Sequence, residues 1–150
     1  MKKNKRKINY KDARGTIMDI FVSEPYEHVV IITCTKGAVR GNHFHKLSEQ
    51  SDFMLSGKMM AYSRKKDSKK IEKNLVTPND VTTWEKGEAH EFIAVTDCTF
   101  MSFVNGPRGG DKYETDTYRL KIPLHEQLKK KITDWSLLEP GKFNKTVLKK

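Results

Sequence analysis

The sequence has little cysteine: two residues in 150, Cys34 and Cys98, far apart and with no CxxC partner. A disulfide framework is therefore not expected, and both read as free thiols of a reducing compartment. Long hydrophobic runs are missing too, and none approaches the ~20 residues of a membrane span. The N-terminal Met1-Lys2-Lys3-Asn4-Lys5-Arg6-Lys7 has no apolar stretch behind it. It does not read as a secretory signal, so a cytoplasmic protein is expected and the sequon Asn144-Lys145-Thr146 carries no weight. Acidic residues are scarce, 19 against 29 Lys and Arg, giving a net charge of +10. Much of that excess lies at the two ends and in Arg64-Lys65-Lys66 with Lys69-Lys70, clusters nearly bare of aromatics. Nucleic-acid binders interleave such charge with stacking rings or a recognition helix. The pattern suits solvated tails and loops that favour anionic small molecules, with neither nucleic acid nor membrane as partner.

Hydrophobic residues make up 36% of the chain, so one domain with an economical core is expected. Short runs of Val, Ile, Thr, Phe and Tyr alternate with Gly, Pro, Asn and Asp, an all-β pattern. Strands are expected at 15–22, 27–35, 38–45, 50–64, 69–76, 80–85, 90–96 and 99–104. Residues 1–13 read as a flexible basic arm, 14–122 as a β-barrel, and 123–150 as a C-terminal helix with a basic tail. Leu124, Leu128, Ile132 and Trp135 have helical spacing and predict a helix from Leu124 to Trp135. The polar, glycine-rich 105–118 stretch is long enough for a functional or mobile loop.

The richest stretch runs from Gly37 to Gly57. On an extended strand His43 and His45 share one face and Phe44 takes the other. After a polar turn, a second strand is expected to pair back on the first, with Gln50, Asp52 and Met54 on one face and Glu49, Phe53 and Leu55 on the other. Downstream, His90, Phe92 and Ala94 share a strand face. His28, at a strand start, and His125, on the terminal helix, read as ordinary residues.

These residues resemble the two motifs of the cupins, small jelly-roll β-barrels. Gly37, His43, His45 and Gly57 match the first motif, G-x5-H-x-H with its later glycine, and Gln50 stands where the glutamate belongs. Gly87 and His90 match the second, with Asn79, Glu85 and Ala94 replacing its first glycine, proline and asparagine. Val39 to His45 and Asp116-Thr117-Tyr118 narrow the resemblance to two groups. One is the epimerase-type domain of capsular-polysaccharide enzymes; the other is the dTDP-4-keto-sugar epimerases and ketoisomerases.

The resemblance implies an epimerase or isomerase of a nucleotide-linked 4-keto sugar, for surface-polysaccharide precursors. It implies a metal site of His43, His45, His90 and Gln50 for one divalent ion, zinc first, with manganese, nickel or iron as alternatives. His45 is the candidate base and His43 its partner. A metal-bound imidazole cannot also take a proton, so an occupied site would shift that work to Tyr118, Asp52 or Glu49. Arg40, Asn42, Lys46, Asp52 and Arg108 are the candidate substrate-binding residues. A homodimer through strand edges near 15–35 is expected. The same histidines also suit a metal-dependent dioxygenase, and a non-catalytic sugar-binding cupin is the other alternative.

Overall fold

The structure, a computed structural model, describes residues 1–140, so the sequon and most of the expected basic tail lie outside the described residues. Two five-stranded sheets enclose the core. One runs β1 (Lys2–Lys5), β9 (Asp80–Trp84), β6 (Glu49–Ser56), β11 (Cys98–Asn105) and β4 (His28–Cys34). The other runs β12 (Tyr118–Arg119), β5 (Val39–Phe44), β10 (Ala89–Ala94), β7 (Met59–Arg64) and β8 (Glu72–Val76). A separate hairpin joins β2 (Tyr10–Asp12) to β3 (Gly15–Ile17). Met54, Trp84 and Phe100 of the first sheet meet Met59, Val76 and Phe92 of the second between the layers. Burial follows the alternation of the sequence: in β11 every second residue from Cys98 onward points inward. Among the described residues no helix is long and apolar enough to cross a membrane.

Four sequence expectations about the strands and the N-terminal arm need correction. Lys2–Lys5 is not part of a flexible arm but an edge strand, with Lys2 opposite Thr83 and Lys5 opposite Asp80. The β9 edge offers unpaired backbone groups, and the Lys5 ammonium lies 3.0 Å from the buried Asp80 carboxylate. The strand expected at 15–22 stops at Ile17; beyond it Phe21 and Tyr26 pack on Phe103 with ring centroids 4.7 and 5.4 Å away. The run 50–64 breaks at Gly57, whose φ of +76° and 2.1 Å approach of a would-be Cβ to the Asp97 carbonyl leave no room for a side chain. Strand β6 also crosses to the opposite sheet instead of pairing with β5, so its inward residues face β5 across the interior.

The terminal helix α1 (Leu124–Lys130) is shorter than expected. It ends where Lys131, the third of three consecutive lysines that offer the core nothing, turns left-handed at φ +54°. Gln127 then captures the departing chain, its Oε1 accepting the Asp134 N–H at 3.0 Å, while Arg64 donates to the Asp134 carbonyl at 2.6 Å. Leu124, Leu120, Tyr62 and Trp135 cover the outer face of the second sheet.

Candidate active site

Strand β5 carries a bulge at its centre. Gly41 and Asn42 have φ of +79° and +58°, and the β10 register slips there, so that His43 faces His90 while Gly41 faces Glu91. Asn42 holds the bulge by donating to the Leu120 carbonyl at 2.9 Å. Beyond it His43 and His45 point the same way, as alternation requires. Their ring centroids lie 4.6 Å apart and 4.7 and 5.1 Å from His90. One ligand nitrogen from each of the three falls within 4.8 Å of the others.

Second contacts set the tautomers. His45 Nδ1 lies 2.7 Å from the Asp116 carbonyl and His90 Nδ1 3.2 Å from the Glu88 carbonyl. A carbonyl only accepts, so each Nδ1 carries the proton and each Nε2 keeps its lone pair. His45 Nε2 and His43 Nδ1 are buried without a protein partner. Burial, together with the neighbouring histidines and Arg108, holds His43 and His90 well below the usual histidine range. Burial and Arg108 lower His45 to about 4. All three imidazoles are neutral at pH 7. Three neutral imidazoles with orphaned nitrogens suit a divalent ion of borderline softness, and equally suit a neutral base facing a ligand.

Gln50 does not complete that set. Its Nε2 donates to Asp52 Oδ1 at 2.8 Å, and its Oε1 accepts from Arg108 Nη1 at 3.2 Å. Flipping the amide would set oxygen against the carboxylate and NH₂ against the guanidinium, so the orientation is fixed by charge. Asp52 is a support, not a substrate group: Trp84 Nε1 donates to it at 2.6 Å, and Ser102 Oγ donates as well. Burial pushes its carboxyl up to about 6.

His43, His90, Gln50 and Asn42 line a cavity of about 410 Å³ together with Arg40, Arg108 and Arg119. The other expected residues lie elsewhere. Tyr118 pairs with Phe44 and stacks on its ring at 5.3 Å, on the face away from the histidines. Lys46 is drawn to the same outer face, its ammonium 4.1 Å from the Tyr118 ring centre. Glu49 is exposed on β6, with parity opposite to Gln50. His45 is 2% exposed and stands behind the cavity wall, which His43 provides.

Two residues escape the sequence reading. Arg119, opposite His43 on β12, enters the cavity where its neighbour Tyr118 was expected, and Glu114 holds its guanidinium by two bonds. Asp116, 1% exposed, accepts the backbone N–H groups of Lys46, Leu47 and Ser48 at 2.9, 2.9 and 2.7 Å, while its carbonyl holds His45. An aspartate near a turn was the available signal, but its partner turn lies far away in sequence.

No family model and no curated protein matches the chain. Among solved structures it is similar to the rmlC epimerase of Mycobacterium tuberculosis, at 17% identity and a TM-score of 0.67 over 79% of this chain and 67% of that one. It is similar to a double mutant of the QdtA 3,4-ketoisomerase of Thermoanaerobacterium thermosaccharolyticum in complex with TDP, at 22% identity and 0.64 over 79% and 86%. It also matches the capsular polysaccharide assembling protein CapF of Staphylococcus aureus, at 24% identity and 0.56, over 78% of this chain but about a third (34%) of CapF. The chain has the cupin-type jelly-roll fold of these epimerase and ketoisomerase structures.

Proposed function

We propose that the protein is an epimerase or ketoisomerase of a nucleotide-linked 4-keto sugar, serving surface-polysaccharide precursor synthesis. The observation that carries the reading is the make-up of the cavity wall: neutral histidines and three arginines, with no carboxylate among its described lining residues. A proton next to a ketone is removed by a neutral base while the electron pair moves onto the ketone oxygen, and positive groups stabilise the enolate. His43, which faces the cavity, is the base; His45 stands behind it, so the two exchange the roles first expected of them. Arg40, Arg108 and Arg119 take the diphosphate and the developing oxyanion. Reprotonation of the same carbon from the other face by solvent gives the epimer, and His43 returns its proton to solvent. The epimerase, ketoisomerase and CapF likenesses agree with this chemistry. A homodimer through the β4 edge, where Val29 and Ile31 are exposed, completes the proposal.

His43, His45 and His90 would hold a divalent ion, zinc by donor type, whose chemistry when bound is to polarise the ketone. The proton would then need another acceptor, and none of those expected fits: Tyr118 and Glu49 lie outside, and Asp52 is engaged by Trp84, Ser102 and Gln50. The metal-free base is therefore the preferred reading. In deuterated water, with a nucleotide-linked 4-keto-6-deoxy hexose, the protein should catalyse deuterium entry at C3, seen as loss of the proton signal. His43→Ala should lose most of that rate, since general-base catalysis contributes ~10²–10⁴-fold. Tight binding without any exchange would replace the enzyme by a binding module. Exchange that vanishes with a chelator and returns with zinc would instead select the metal.

A further inference from the structure

Cys34 and Cys98, separate thiols by their sequence positions, are direct partners across the antiparallel β4–β11 pair. Residues so opposed have Cα atoms ~4.5–5.5 Å apart, inside the ~4.4–6.8 Å range of disulfides. Both side chains point inward, and Cys34 is 9% and Cys98 4% exposed. Burial first and then the adjacent Cys34 push the Cys98 thiol up to about 11. The pair is not sealed in the core. Both cysteines line a second cavity of about 470 Å³ with Thr35, Ser56 and Asp97. Arg40 forms the partition, lining this cavity and the histidine cavity alike. Its Nε donates to Cys34 Sγ at 3.1 Å and its Nη2 to the Thr33 carbonyl at 3.0 Å.

We propose that Cys34 and Cys98 are a redox pair that low-molecular-weight disulfides close to an intramolecular disulfide, and that closure releases Arg40 from its sulfur anchor and weakens anion binding in the histidine cavity. The second half rests on the anion-binding role given to Arg40 above. Cys34, the more exposed residue of the two, attacks the external disulfide RSSR; that S–S bond breaks, one RSH leaves with the Cys34 proton, and a mixed disulfide forms. Cys98 then loses its proton and attacks the Cys34 sulfur, releasing the second RSH. Two electrons pass from the cysteines to RSSR, which is reduced to two thiols. In the product the Cys34 sulfur is bonded ~2.05 Å from that of Cys98 and turned from Arg40, leaving the guanidinium its Thr33 contact alone. Intracellular disulfides of this sort are characteristically redox-sensing.

The test uses the full chain, treated with oxidised glutathione, denatured, and alkylated with N-ethylmaleimide. Reduced protein takes two maleimides. Oxidised protein should take none, be lighter by two hydrogens, remain a single chain on a non-reducing gel and revert with dithiothreitol. Two maleimides after treatment, a persistent glutathione adduct, or disulfide-linked dimers would each overturn the proposal. Thymidine diphosphate should bind the oxidised form roughly 3–10-fold more weakly, the loss of about one ordinary hydrogen bond as Arg40 loses its fixed orientation. Cys34→Ser, which removes the attacking sulfur and leaves an oxygen acceptor facing Arg40 Nε, should make that affinity insensitive to glutathione, whereas Cys98→Ser should stall as the mixed disulfide on Cys34. Closure with unchanged affinity would refute the link to Arg40. Absence of diphosphate binding in both states would refute the anion site itself, while the mass measurement still decides the pair.

Discussion

Replacing Asp116 by asparagine should destabilise the protein more than any single change in the cavity wall. The carboxylate accepts three backbone N–H groups of the turn that follows His45. Asparagine keeps one acceptor oxygen, which can serve Leu47 and Ser48, and sets its NH₂ against the Lys46 N–H. The change removes a charge from hydrogen bonds worth ~1.5–3 kcal/mol when charged and leaves one donor facing a donor, at ~1–3 kcal/mol. We expect a loss of about 2–4 kcal/mol, a large part of the ~5–15 kcal/mol of a typical domain. At ~2–4 °C per kcal/mol for a chain of this size, the melting temperature should fall by roughly 4–16 °C at pH 7. These bonds hold the folded carboxyl below its ordinary value. Its stabilisation is therefore complete above the unfolded value of ~3.9 and is lost as pH falls through the depressed folded one. The gap between wild type and Asp116→Asn, read from urea midpoints at pH 7, 5 and 3, should be full at the first two and shrink at the last. A melting shift under about 2 °C, or a gap that persists undiminished at pH 3, would refute the reasoning.

Tyr118→Phe should leave deuterium exchange within about twofold of wild type, since its ring stacks on Phe44 outside the cavity; a loss on the order of 10²-fold would return Tyr118 to the chemistry. Gln50→Glu would set a second carboxylate where Nε2 now lies 2.8 Å from Asp52. The urea midpoint of that variant should drop at pH 8 and recover toward pH 5, where Asp52, at about 6, takes a proton; wild-type stability at pH 8 would contradict this. His125→Ala leaves the fully buried Glu91 carboxylate with only the residue-125 backbone N–H, at 3.3 Å, in place of the added Nδ1 contact, and should cost ~1–3 kcal/mol near pH 6. Glu91 raises the His125 value, so that stabilisation is present below the ordinary histidine range and fades as pH rises through the raised folded value; a variant whose deficit grows with pH would reverse the assignment.

What the sequence made legible was local. Alternation along Val39–Phe44 put His43 and His45 on one face, and the spacing to His90 identified the strand that meets them. What it hid was long-range pairing. Tyr118 and Arg119 form a two-residue strand, too short for its own alternation to show which residue turns inward; that depends on Tyr118 facing Phe44 and Arg119 facing His43. Cys34 and Cys98 looked unrelated because only the β4–β11 register makes them partners. Helical spacing at Leu128, Ile132 and Trp135 misled for the converse reason. Arg64 and Gln127 are buried polar groups whose demand for partners pulls Asp134 out of any helix.

The interior also changes chemistry along its length, and that gradient explains the histidines. Met54 and Phe100 fill the apolar end, and Phe92 meets the Trp84 ring at 5.2 Å. The same Trp84 ring lies 5.0 Å from His90 while its Nε1 donates to Asp52, so one side chain joins core, cluster and carboxylate. An apolar floor beneath and arginines around drive the imidazoles toward the neutral form, by desolvation and by like charge together. A carboxylate placed among them would raise the basicity of His43, but it would also neutralise the guanidinium groups on which the proposed anion binding rests. Among the described residues the acids of this end are kept out of the cavity wall: Asp52 beneath Gln50, Asp116 beneath the turn, Glu114 on Arg119. A neutral base and a cavity wall bare of carboxylates are thus one arrangement seen from two sides, and a change that strengthens either should weaken the other.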